Sequence, residues 1–278
     1  MLKKWKGLLF LIIGITALCT AMPVKSFADD NVASVSFGES TEYYATIDAA
    51  WEAAVALDTA EKNKVTIKLL ADCTAENTLT NTADYLVLDT NGNTLTTPDA
   101  IAHTNDIRCG IQVEGGSLEL TGNGTISGLS AADYGRAIVL MTGGKVSLSG
   151  VTIHNTGISG SNSVLVNGGE FYLFDGYIHA EGEYALNINR GNVYLYSGKI
   201  EGDGRMAMCV DYYSSVRICY SDKPLYFIDH DVDNNWYTIS GASYIQLEDN
   251  VVVDLEYSDN PDGSDSKILK STTKIAAW

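Results

Sequence analysis

The chain has 278 residues, with 18 basic and 35 acidic side chains and a formal net charge of −17. So acidic a surface repels nucleic acid and anionic membrane, which excludes a nucleic-acid partner, while the length is ample for a full-sized buried core. Five cysteines, widely spaced, suit neither a disulfide-framework domain nor a thiolate zinc site, which needs two close pairs.

At the N-terminus Lys3, Lys4 and Lys6 precede an apolar run over residues 8–17. Ser26-Phe27-Ala28 then sets small residues at the two positions a signal peptidase reads, so residues 1–28 are expected to be an export signal cut before Asp29. The run is shorter than the roughly 20 residues of a membrane span, and no stable span is expected in the mature chain. Cleavage removes Lys3, Lys4, Lys6 and Lys25 and no acid, which takes the charge from −17 to −21. The product is expected to be secreted, at the cell surface or beyond it.

Residues 29–64 are read as an N-terminal segment with a capping helix. Residues 46–57 carry Thr46 as an N-cap residue and place Ile47, Ala50, Trp51, Ala54 and Val55 on one helical face. Strands follow at 65–70, 78–80, 85–88 and 94–96, with Asn91-Gly92 as a tight-turn signal.

Residues 65–223 are read as repeated coils. GGSLELTGNGTISG, GGKVSLSGVTIHNTG, GGEFYLFDGYIHAEG and RGNVYLYSGKIEGDG align, and a weaker copy begins at Tyr213. The marker residues Gly116, Gly144, Gly169, Gly191 and Ser215 advance by 28, 25, 22 and 24 residues. Within a copy the period is two, which predicts that Leu118/Leu120, Val146/Leu148, Phe171/Leu173 and Val193/Leu195 point inward. A second short strand sets Ile126, Ile153, Ile178 and Ile200 inward, and a third strand precedes each marker. Three short strands per turn predict an all-β fold, a right-handed parallel β-helix solenoid with a short N-terminal capping helix. Propeller blades need about 40 residues, and a sandwich gives no reason for the recurring glycines. Residues 224–278 are less regular and are read as further strands or a cap, with a polar tail.

Two outward columns follow from this alignment. One is Glu119, Ser147, Tyr172, Tyr194, Arg217, and the next is Thr121, Ser149, Phe174, Tyr196, Cys219. Tyr172, Phe174, Tyr194 and Tyr196 thus gather on adjacent coils, with Tyr177 and Tyr184 on the same coils. Projecting rings can stack on sugars or anchor a protein, and they also stabilise a sheet by packing on one another. His154 and His179 occupy equivalent positions and are read as an exposed pair with no carboxylate set beside either.

No catalytic residue is assigned. Glu201, Asp203 and Arg205, and Asp229, Asp231 and Asp233, come nearest to an acidic site, and both are read as solvated rims. The second alternates like a weak calcium run without its glycine and closing Glu. No metal or cofactor is expected beyond that slight calcium tendency. One disulfide, with Cys209 and Cys219 as the most suited pair, and free, partly buried thiols are equal alternatives.

The segment around Leu70 to Thr74 (LADCT) and Leu88 to Thr96 (LDTNGNTLT) resembles the opening of large surface and secreted proteins of Gram-positive gut bacteria. The coils resemble the same proteins and, more loosely, the pectate-lyase-like superfamily. That resemblance implies a right-handed β-helix and admits lyases and hydrolases of acidic polysaccharides as well as adhesins. The chain lacks the Gly-His-Gly and Arg-x-Lys of polygalacturonase-like members, so no catalytic residue carries over. The expected function is non-catalytic: an adhesion-like rigid face for a polysaccharide or a surface protein. A polysaccharide lyase or glycoside hydrolase and a structural spacer are the alternatives. Export is expected to leave Asp29 as the first residue, which N-terminal sequencing of protein recovered from the medium reads directly.

Overall fold

Alternating apolar and polar residues can satisfy a backbone only by pairing with neighbours, and here each neighbour is the next turn of the same chain. The computed structural model describes residues 30–57, 64–98, 109–128, 136–157, 161–230, 238–241, 244–249, 251–258 and 268–277, with side chains as far as Val251. The export signal read at residues 1–28 lies outside them.

Three strand positions recur in order and build three faces. The first face stacks Val65–Leu69, Leu86–Asp89, Ser117–Thr121, Lys145–Ser149, the second halves of Ser161–Leu173 and Tyr184–Leu195, then Ser214–Ile218 and Ile245–Leu247. The second face stacks Cys73–Thr74, Thr94–Thr96, Thr125–Gly128, Thr152–Asn155, Tyr177–Ala180, Gly198–Gly202 and Leu225–Asp229. The third stacks Leu79–Asn81, Cys109–Val113, Arg136–Met141, the first halves of the two long strands, Met206–Val210 and Ile239–Ser240. Every pairing within these stacks is parallel, so the chain is a β-solenoid of stacked parallel coils with one short helix near its N-terminus.

Parallel pairing does not stop at Pro224: it carries on through Leu225–Asp229, Ile239–Ser240 and Ile245–Leu247. The register also corrects one marker, because Gly191 pairs with Ser214 and not with Ser215. Past the coils, Val251–Ser258 and Ile268–Ala277 form an antiparallel hairpin, and Leu225 pairs with Ile275 of that hairpin. The hairpin therefore extends the second face, not the first.

The inward columns form one core. Leu118, Leu120, Val146, Leu148, Phe171, Leu173, Leu195, Ile126, Ile153, Ile178 and Ile200 are fully buried, and Val193 nearly so. On the third face the outward side is occupied as well: Leu140 and Leu165 pair across coils and are buried with Cys109 and Ala137.

The glycines do more than turn the chain. Gly144, Gly169 and Gly191 have positive φ, and a Cβ on Gly169 would meet the carbonyl oxygen of Gly144 at 2.2 Å. Consecutive corners sit too close for any side chain. Asn91-Gly92 also makes a left-handed turn, but its flanking strands lie on different faces, so it is a corner and not a hairpin.

The N-terminal end is closed by two devices. Helix Ile47–Ala56 begins at Thr46, whose hydroxyl accepts from the Ala49 N–H, and buries Ile47, Ala50, Trp51 and Ala54; Val55 is half-buried. Trp51 Nε1 donates to the Thr80 carbonyl at 2.9 Å, and Asp48 accepts from the Glu76 and Asn77 backbone N–H groups. The second device was not anticipated. Ala33–Phe37 and Ser40–Tyr44 form an antiparallel hairpin, and Ala33–Phe37 pairs antiparallel with Val65–Leu69. It supplies partners to the first coil's open backbone edge. The two-residue Gly38-Glu39 loop between alternating segments was its sequence signal.

Gly38 and Gly116 share φ values of +59° and +60°, but a Cβ on Gly38 meets nothing within 4 Å, whereas one on Gly116 meets the Ala83 carbonyl oxygen at 1.8 Å. Gly38→Ala is therefore expected to cost about 1 kcal/mol and Gly116→Ala at least ~2 kcal/mol more, read by urea unfolding of each variant.

Candidate functional site

The aromatic columns form as the alignment places them. Tyr172 pairs with Ser147 below and Tyr194 above, and Tyr194 with Arg217. Their rings lie flat on one another: Tyr172–Tyr194 centroids are 4.7 Å apart and Phe174–Tyr196 are 5.0 Å apart, with Tyr172–Phe174 at 5.8 Å. Parallel coils impose this geometry, because their spacing of about 4.8 Å is close to the offset-stacking distance of aromatic rings.

Stacking has a cost for recognition: each ring covers its neighbour's face and shows solvent mainly its edge. The lower face of Tyr172 is taken as well, with Lys145 Nζ 4.3 Å from its centroid, while its hydroxyl donates to Glu170 at 2.9 Å. Burial and that carboxylate push the Tyr172 pKa well above the ordinary tyrosine range. Burial, then a hydrogen bond with Cys219, raises Tyr196 to about 12. Phe174 differs. Its lower neighbour in the column is Ser149, too small to cover a ring, and it is 44 % exposed. Tyr177 and Tyr184 share coils with this group but stand on the second and third faces.

The second face carries a polar ladder that the sequence reading missed. His154 pairs with His179 and His179 with Glu201 along one column. The two imidazoles stack with centroids 4.7 Å apart, and Tyr177 stacks beside His179 at 5.3 Å. Contrary to expectation, each histidine has a carboxylate fixed beside it. His154 Nε2 lies 3.0 Å from Glu181 Oε1, and His179 Nε2 lies 2.8 Å from Asp203 Oδ2. Next in the series, the polarity inverts: Glu201 Oε1 meets His230 Nε2 at 2.6 Å.

The rule behind the ladder is diagonal. A strand residue of one coil meets the corner residue just past the strand of the next coil. The partners are 27, 24 and 29 residues apart in sequence, and same-register alignment alone does not pair them. Comparing each second-face strand with the first residue past the next one would have exposed Glu181, Asp203 and His230.

Glu201 is 8 % exposed. Burial by itself would raise its pKa, but hydrogen bonds from Lys199, Tyr177 and His230 outweigh that and hold it at about 2. Tyr177, which bonds the same carboxylate, is pushed far up, by burial first and then by Glu201. One ligand atom from each of Glu201, Asp203 and His230 lies within 4.8 Å of the others. Arg205 is not part of this group; it pairs with Glu183 and lies 5.5 Å over the Tyr184 ring.

Of the other acidic run, Asp229 is buried, and Asp231 and Asp233 lie outside the described residues. Cys73, Cys109, Cys209 and Cys219 are all free. Cys209 stands on the third face and Cys219 follows a first-face strand, so closeness in sequence does not put them on one face. Burial pushes the Cys73 and Cys109 thiols up to about 11 and about 12, so both stay protonated and unreactive at neutral pH. Among the described residues no helix is long and apolar enough to cross a membrane.

Searches find no matching protein family, no matching curated protein and no matching solved structure.

The lowered pKa of Glu201 implies stability that is present above its ordinary value of 4.5 and is lost as pH falls through about 2. Glu201→Gln is expected to destabilise the protein by roughly 2–3 kcal/mol at pH 7. That gap should narrow as pH drops below 4.5, which thermal melts of both proteins across the acid range will show.

Proposed function

We propose that the protein is an extracellular, non-catalytic β-helical binding protein that presents its first face to a polysaccharide, with Phe174 as the stacking ring. The observation that carries this reading is the exposure of Phe174, 44 %, on a ring held in place by stacking with Tyr172 and Tyr196. A rigid aromatic loses little entropy on binding, and a sugar ring offers the flat C–H face that suits it. Tyr172, Tyr194 and Tyr196 belong to the same surface and supply hydroxyls and ring edges. The mature charge of −21 favours a neutral polymer over an acidic one. Export rests on the lysines, apolar run and small residues of positions 1–28. A surface-protein partner would use the same rigid patch, and membership of the pectate-lyase-like superfamily accords with the coil architecture.

One observation favours a second reading, a polysaccharide lyase or hydrolase: Glu201 and Asp203 converge beside His179 and His230 on the second face. Cleavage of a polymer by the protein, lost in Asp203→Asn, is its test.

Retention of residues 29–278 on a panel of neutral and acidic polysaccharides in native gels tests the leading reading. Phe174→Ala is expected to weaken retention about tenfold or more while leaving the melting temperature nearly unchanged. Tyr194→Ala, which opens a gap in the stack, is expected to lower the melting temperature as well. Retention unchanged in Phe174→Ala, or no retention on any polymer, would sink the glycan reading.

A further inference from the structure

Glu201 lies on the strand Gly198–Gly202 and Asp203 is the corner residue just past it, and an oxygen of each carboxylate lies within 4.8 Å of the other. Two like charges so close need something positive between them. Lys199 supplies part of it, but its ammonium meets Glu201 Oε2, the same oxygen that accepts from the Tyr177 hydroxyl. Oε1 is left facing His230. Asp203 is flanked by imidazoles from both sides, His179 from the coil below at 2.8 Å on Oδ2 and His230 from the coil above at 3.9 Å on Oδ1.

We propose that Glu201, Asp203 and His230, with His179 at the edge of the cluster, form a binding site for a divalent cation of the zinc class. The donors converge within the reach that first-row ions need, and a cation entering there replaces the contacts of His230 with Glu201 and Asp203. A dication meets both carboxylate charges and the imidazole lone pairs at once. The mixture of nitrogen and oxygen donors selects zinc, cobalt, nickel or copper; calcium wants six to eight oxygens and magnesium keeps its waters.

The surroundings are those of a supported site. Tyr177 and Lys199 fix the far oxygen of Glu201, and His154 stacks on His179 and restrains its ring. One ligand is buried and the others are open: the side chains of Asp203 and His230 are 39 % and 53 % exposed, which gives an ion its way in. The site arises only where the ladder inverts. The lowest rung, His154 with Glu181, is a simple pair. This site stands on the second face and is independent of glycan binding on the first.

The test is titration of untagged, chelator-treated residues 29–278 with Co2+, followed by visible absorption, and with Zn2+ by calorimetry. The expected result is saturable, stoichiometric uptake with cobalt bands that zinc abolishes and calcium in excess does not. His230→Ala and Asp203→Asn, both at exposed positions and checked for fold by circular dichroism, should each weaken uptake at least about tenfold. Asp175→Asn, a carboxylate paired with Lys223 elsewhere on the surface, should leave it unchanged. Absence of cobalt bands, uptake undiminished in both ligand variants, or displacement of cobalt by calcium as readily as by zinc would overturn the proposal.

Discussion

Backbone hydrogen bonding between successive coils is the constraint from which the rest of this structure follows. Parallel strands sit about 4.8 Å apart, and every residue on a face is held at that distance from its counterparts above and below. The core inherits the spacing, since Leu118, Val146, Phe171 and Val193 stack in one inward column of a continuous interior. So do the corners. Where carbonyls of adjacent turns approach this closely no Cβ fits, and the succession Gly116, Gly144, Gly169, Gly191 is the sequence's answer.

The same spacing acts on the outside with different chemical results. Flat rings accept it readily, and tyrosine over tyrosine or histidine over histidine becomes a stack. Carboxylates do not accept it, because like charges in register repel. The second face resolves this by the diagonal arrangement, in which acids and imidazoles alternate between strand and corner. Glu201 is the tightest point of the arrangement, a buried anion kept ionised by three donors. The two outward faces therefore differ in kind: one is an apolar surface with a polar fringe, the other a chain of charge-paired rungs.

Much of this was readable from residues alone. Period-two alternation and the recurring glycines fixed the solenoid, its inward columns and the four aromatic neighbours, because each depends only on residues in the same register. The helix was equally plain, from Thr46 and the spacing of Ile47, Ala50, Trp51 and Ala54. What escaped depends on offsets between coils. The partners of His154 and His179 come from the corner of the following coil, and corner lengths vary. The suspected Cys209–Cys219 bridge failed for a related reason: successive strands turn onto different faces, so neighbours in sequence become remote in space. The hairpin 33–44 was overlooked because its alternation is short and its second strand, Ser40–Tyr44, is polar.

That hairpin has a consequence for assembly. A parallel coil stack is in principle a template with two growing ends, each able to recruit an identical coil from another molecule. At the N-terminal end the register changes from parallel to antiparallel between Val65–Leu69 and Ala33–Phe37, and the outermost strand presents Glu42 among exposed polar residues. A coil arriving from another molecule finds a strand of the wrong polarity and an acidic rim. End-on addition of a parallel coil is thereby opposed on that side.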